Sequence, residues 1–193
     1  MKIILSAFIV ILNYSSAVSQ TIFKVVEAER NSFTGANLSD NMSRKYYRIV
    51  LVDDSLSQNF LYPLVIKKHN IDTVEAIREL LLLRGDTRMC SLPIMGYNPL
   101  KSQIYIGTNK NYSVQVEALF IINQLIFENP FYYSSYPVLV DKVDGSSASI
   151  SGTVIDKAFE AYCSWYKKLK RIGIRQIKYK KIMPLDSAAV RWY

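Results

Sequence analysis

The sequence predicts a mainly helical single domain around one buried central helix, with a few short N-terminal strands and an α+β mix as the alternative. Three observations carry this expectation. The run from Ser113 to Asn129, SVQVEALFIINQLIFEN, is apolar over almost its whole helical circumference, and only Glu117, Gln124 and Glu128 gather into a narrow polar stripe. Residues 153–172 are strongly amphipathic, with Val154, Phe159, Tyr162, Trp165 and Leu169 on one face and Asp156, Glu160, Lys167 and Arg171 on the other. Asp72 with Glu75 three residues later forms a capping box, opening a helix that runs through Arg84 and ends at Gly85.

Residues 1–19 read as a cleaved secretory signal. Lys2 precedes an apolar run over 3–12, a polar stretch follows, and Ala17 and Ser19 are the small residues that signal cleavage before Gln20. The globular domain is then residues 20–193. Residues 21–30 suit a short strand or the start of a helix, and 31–43 a polar loop. Residues 45–52, KYYRIVLV, have the β-branched and aromatic content of a strand. In the apolar run 60–67, Pro63 argues against a central strand.

A loop rich in turn formers leads from Gly85 to the central helix, which Ser113 is placed to cap. That helix is too short, and too interrupted by Gln115, Glu117, Asn123 and Gln124, to span a bilayer. Residues 130–137 form an aromatic connector between prolines, 138–140 a short strand, and 144–147 a turn. Acids early and bases late in 153–172 suit the helix dipole, and Gly173 ends that helix. Pro184, Leu185 and Asp186 are expected to start a last helical turn toward Trp192.

Charge is unevenly distributed. The chain carries 24 basic and 16 acidic side chains, for a net charge of +8. Nine of the bases and only one acid, Asp186, lie in the basic C-terminal segment 167–193, so the rest of the chain is neutral. Such asymmetry points to an acidic partner surface, an anionic envelope polymer or a membrane face, against the plainer reading of a solvated helix end.

Chemistry is sparse. His69 is the only histidine, which excludes a centre built of several His ligands and starves His-dependent triads and zinc helices. No phosphate-cradling glycine loop or nucleophile elbow occurs. Ser164 and Lys167 match S-x-x-K, and Ser57 to Asn59 match S-x-N. Yet Ser164 lies mid-helix, the order is reversed and K-T-G is missing. Glu117 and Glu128 share the central helix's polar stripe but stand about 16 Å apart along its axis, too far for direct two-carboxylate hydrolysis. No catalytic residue, metal or cofactor is assigned. Cys90 and Cys163 permit a disulfide in an oxidising compartment, against the alternative of two isolated thiols.

The leading expectation is an exported, periplasmic or extracellular, non-enzymatic binding protein whose partner is a protein or an anionic envelope polymer. Its binding residues are the connector aromatics Phe131, Tyr132, Tyr133 and Tyr136, against the plainer reading of a loop clamped onto the core, and the cations Arg175, Lys178, Lys180 and Lys181. Size and location suit an immunity or inhibitor protein of the cell envelope, by analogy alone. The alternatives are an envelope-polymer hydrolase using Glu117 or Glu128, and a structural protein attached to an anionic envelope surface. Nucleic acid is not expected as a partner, nor is the chain an integral membrane protein once the signal is removed.

Overall fold

The computed structural model describes residues 21–29, 45–52, 71–94, 105–127 and 133–193. The signal segment, the polar loop 31–43, the run 60–67, His69, Glu128, Phe131 and Tyr132 lie outside the described residues.

The N-terminal stretch is a strand, not a helix. β1 (Phe23–Ala28) pairs antiparallel with β2 (Tyr46–Leu51), with Phe23 opposite Leu51, Val25 opposite Ile49 and Glu27 opposite Tyr47. On its other side β2 is held by residues 89–91: Tyr47 N–H donates to Met89 O at 2.8 Å, and Ser91 N–H to Tyr47 O at 2.8 Å.

α1 (Thr73–Leu81) opens as its cap predicts, with Asp72 Oδ1 accepting from Val74 N–H at 2.8 Å and Glu75 N–H at 3.2 Å. It closes earlier than expected. The N–H groups of Leu82, Leu83 and Arg84 each reach back three residues, a tightened last turn that leads to Gly85 at φ +85°.

α2 (Val114–Ile126) is the central helix, and every residue in it except Leu125 is buried. It ends at Ile126, since Phe127 is already extended. Its start corrects the expected cap. Ser113 occupies the N-cap position, but its hydroxyl donates to Ile150 O at 2.9 Å and makes no cap bond. The helix's first N–H groups are satisfied by the chain entering it: Val114 donates to Arg88 O at 2.9 Å and Gln115 to Asp86 O at 3.0 Å.

A second sheet follows, with strand order β4-β3-β5. β3 (Leu139–Asp141) is its centre; β4 (Ser147–Ala148) and β5 (Val190–Trp192) flank it, both antiparallel to it. The segment after Pro184 is thus a turn into a strand and not the expected helical turn. Asp186 Oδ2 closes the turn by accepting Met183 N–H at 2.8 Å, and Val190 then pairs with Asp141. Between β4 and β5 run α3 (Thr153–Ile172), ended by Gly173 at φ +81°, and the short α4 (Ile174–Tyr179).

The mainly helical expectation is therefore overturned. The described residues are 39% helical and 18% strand, in four helices and two small sheets, an α+β mix. α2 packs against β2, α1 and α3, so both sheets share one apolar core with the helices.

Several buried polar groups in that core pair with one another. Tyr162 on α3 donates to Asn123 Oδ1 on α2 at 2.6 Å and accepts from Trp192 Nε1–H on β5 at 2.9 Å. Asn123 Nδ2 in turn donates to Ser134 Oγ at 3.0 Å.

Candidate functional site

Three places were open to function on sequence grounds: the central-helix carboxylates, the aromatic connector and the basic segment. The structure gives them different environments.

Glu117 is not on a solvent-facing stripe, nor paired with Arg78, Arg84 or Arg88. Its side chain lies between α2 and β2, where Oε2 accepts from Ile49 N–H at 3.1 Å and from the Cys90 thiol at 3.4 Å. Burial pushes its carboxyl up to about 7, opposed by the Ile49 N–H, the Arg48 charge and the Cys90 thiol. The same burial, with the carboxylate beside it, pushes the Cys90 thiol up. The node pins the first sheet to the central helix. The three arginines serve elsewhere: Arg78 pairs with Glu75, Arg84 with Asp156 and Glu160, and Arg88 with Asp86.

Cys90 and Cys163 are both free thiols, the first buried and the second half-buried on α3. Glu79 is likewise occupied, accepting from Ile22 N–H at 2.9 Å and Phe23 N–H at 3.0 Å where β1 begins.

The described half of the aromatic connector faces the core. Tyr136 is 2% exposed, with its ring against Tyr105 and Tyr193 at centroid distances of 5.2 and 6.0 Å. Tyr133 is half-buried; its ring meets Phe127 edge-on, and its hydroxyl accepts from Leu185 N–H at 2.9 Å. These two residues clamp the connector onto the body, so their aromatic surface is already used.

The basic segment is the opposite case. Lys167, Lys168, Lys170, Arg171, Arg175, Lys178, Lys180 and Lys181 are all exposed, with no Asp or Glu among residues 167–181. Acids early in α3 have partners: Asp156 and Glu160 meet Arg84, and Lys157 donates to Asp141 at 2.7 Å. None of the eight later cations forms an ion pair with a described residue; Lys170 lies 5.0 Å over the Tyr166 ring.

The backbone holds part of this segment rigidly. α4 buries Ile177 and ends in a double closure, with Ile182 N–H donating to Ile177 O and Lys181 N–H to Lys178 O, each at 3.1 Å. This Schellman turn requires a left-handed residue after the cap, a place usually taken by glycine. Here it is Lys181, at φ +49°. The turn is tied down by Trp165 Nε1–H donating to Ile182 O at 2.9 Å. What the hook displays is Lys178, Lys180, Lys181 and Tyr179, the last 84% exposed.

Of the expected binding residues, Arg175, Lys178, Lys180 and Lys181 thus share one short exposed stretch, while Tyr133 and Tyr136 belong to the core. Tyr179 was missing from the expected set. Its signal was an aromatic flanked by lysines just after the apolar face of α4 is exhausted. No family model, curated protein or solved structure matches this chain.

Proposed function

We propose that this chain is an exported, non-enzymatic binding protein that recognises an anionic macromolecular surface through residues 167–181. The observation that carries the reading is the row of eight exposed cations without a described ion-pair partner, on a chain otherwise neutral. Unpaired like charges repel, and a domain that keeps them together on a rigid support is preorganised for an external counter-charge. An envelope immunity or inhibitor protein is one member of this class. The hydrolase alternative gains no support from Glu117, whose accepting oxygen is spent on Ile49 and Cys90 inside the core.

The test is affinity capture from native envelope extract, comparing the unaltered protein with one carrying Lys178→Gln, Lys180→Gln and Lys181→Gln. The expected outcome is a retained anionic component that elutes at markedly lower salt, or is absent, from the altered protein. Identical retention by both would overturn the reading.

A further inference from the structure

We propose that the surface recognised by the α4 hook is an anionic lipid bilayer, on which the protein docks peripherally. The inference rests on the binding reading above and names its partner.

The cation type is the first reason. Six of the eight cations in residues 167–181 are lysine and two are arginine. Protein interfaces favour arginine, whose planar fork grips carboxylates in two places, and are depleted in lysine. A lysine is a mobile point charge on a flexible apolar stem, suited to a diffuse field of headgroups where no single geometry has to be met.

Tyr179 is the second reason. It is one of the few large apolar side chains among the described residues to be strongly exposed, and it stands among Lys178, Lys180 and Lys181 at the tip of the hook. An aromatic ring with a polar end, ringed by lysines, matches the headgroup boundary, where the ring enters and the ammonium groups reach back to phosphate. Inward-facing Ile177 and the Trp165 bond to Ile182 fix the hook, so docking needs little ordering of the backbone.

Lys181 is the third reason. Its left-handed backbone is a position where glycine would be relaxed. A lysine there sacrifices some stability and places one more charge beside Tyr179.

No described helix is long and apolar enough to cross a membrane. With lysines and Tyr179 at the contact, the association is electrostatic with one shallow aromatic contact, and it is reversible by salt.

The experiment is vesicle co-sedimentation with the full chain and, in parallel, the chain from Gln20, each variant being compared with unaltered protein of the same length. The probes are phosphatidylcholine vesicles, equimolar phosphatidylcholine–phosphatidylglycerol vesicles, and soluble polyphosphate. The expected result is binding to the anionic vesicles and not the neutral ones, weakened about 100-fold by the triple lysine-to-glutamine change. Tyr179→Ala is expected to weaken vesicle binding several-fold and leave polyphosphate binding unchanged. Tyr179→Trp is expected to give blue-shifted emission on anionic vesicles.

If vesicles and polyphosphate bind alike and Tyr179→Ala alters neither, the site takes a soluble polyanion; the lipid proposal falls and the binding reading stands. If no vesicle binds but extract yields an acidic protein in a lysine-dependent way, the outcome is the same. If the triple change alters no interaction at all, both fall. Circular dichroism and melting of each variant confirm folding, since the substituted side chains are exposed.

Discussion

Glu117 is an acid held where its charge is poorly solvated, and this makes the stability of the whole fold depend on pH. Its carboxyl stands near 7 in the folded chain against an ordinary value of 4.5. Between those values the folded state keeps a proton that the unfolded state has lost, so stability falls as pH rises through this window. The full loss is about 3 kcal/mol and develops between about pH 4 and about pH 8. Urea unfolding across that range checks it: Glu117→Gln is expected to remove most of the slope, and an equal slope in both proteins would refute the assignment. Gly107 is constrained by space, since a Cβ there would lie 2.5 Å from the Tyr105 hydroxyl. That ring cannot swing away, being 4.7 Å from Tyr193 and 5.2 Å from Tyr136. Gly107→Ala is expected to cost about 1–3 kcal/mol in chemical denaturation. At Lys181 the sign reverses. Lys181→Gly relieves a strain of about 1 kcal/mol, offset in part by glycine's freer unfolded chain, so a rise in melting temperature is expected together with weaker anion binding.

Among elements, the Tyr162 hydroxyl joins α2, α3 and β5 in one contact. Tyr162→Phe leaves Asn123 Oδ1 and Trp192 Nε1 without their buried partner, at an expected cost of about 2–4 kcal/mol in urea unfolding. A loss under about 0.5 kcal/mol would mean that water or a side-chain shift had replaced it. The elements also show what local sequence can reveal. α3 was legible to the residue, because a long apolar stripe and Gly173 mark it without reference to anything distant. The Asp72 cap was legible for the same reason. Ser113 misled because its hydroxyl had a better acceptor in Ile150, which only the folded chain brings near. β3 falls where a short strand was expected, at 138–140, but β4 and β5 are two or three residues long, and the pairing of Ala148 and Trp192 with Leu139 is entirely tertiary. Such strands leave almost no periodicity to read, which is why the expectation erred toward helix. The basic segment was visible as charge, whereas the sequence left the connector open between a recognition surface and a loop clamped onto the core, since residues between two prolines show no face; Tyr136 turns inward.

Over the whole molecule, a neutral body, its first sheet packed on α2 and its second on α3, carries a positively charged C-terminal segment. α2 is sheathed on all sides, and its amides are expected to be the slowest to exchange with deuterium, those of β1 the fastest among the regular elements. Comparable protection in β1 and α2 would show that the first sheet opens only with the entire fold. Cys90 supplies an independent clock for that event. The residue is 1% exposed and its sulfur touches Glu117 across the seam between β2 and α2, so an alkylating reagent reaches it only after the seam parts. The rate at which Cys90 is labelled therefore counts the partings, while half-exposed Cys163 on α3 records the reagent's reach into the closed molecule. A chain with one sheltered and one semi-accessible thiol carries its own timer for how often its two halves come unsealed.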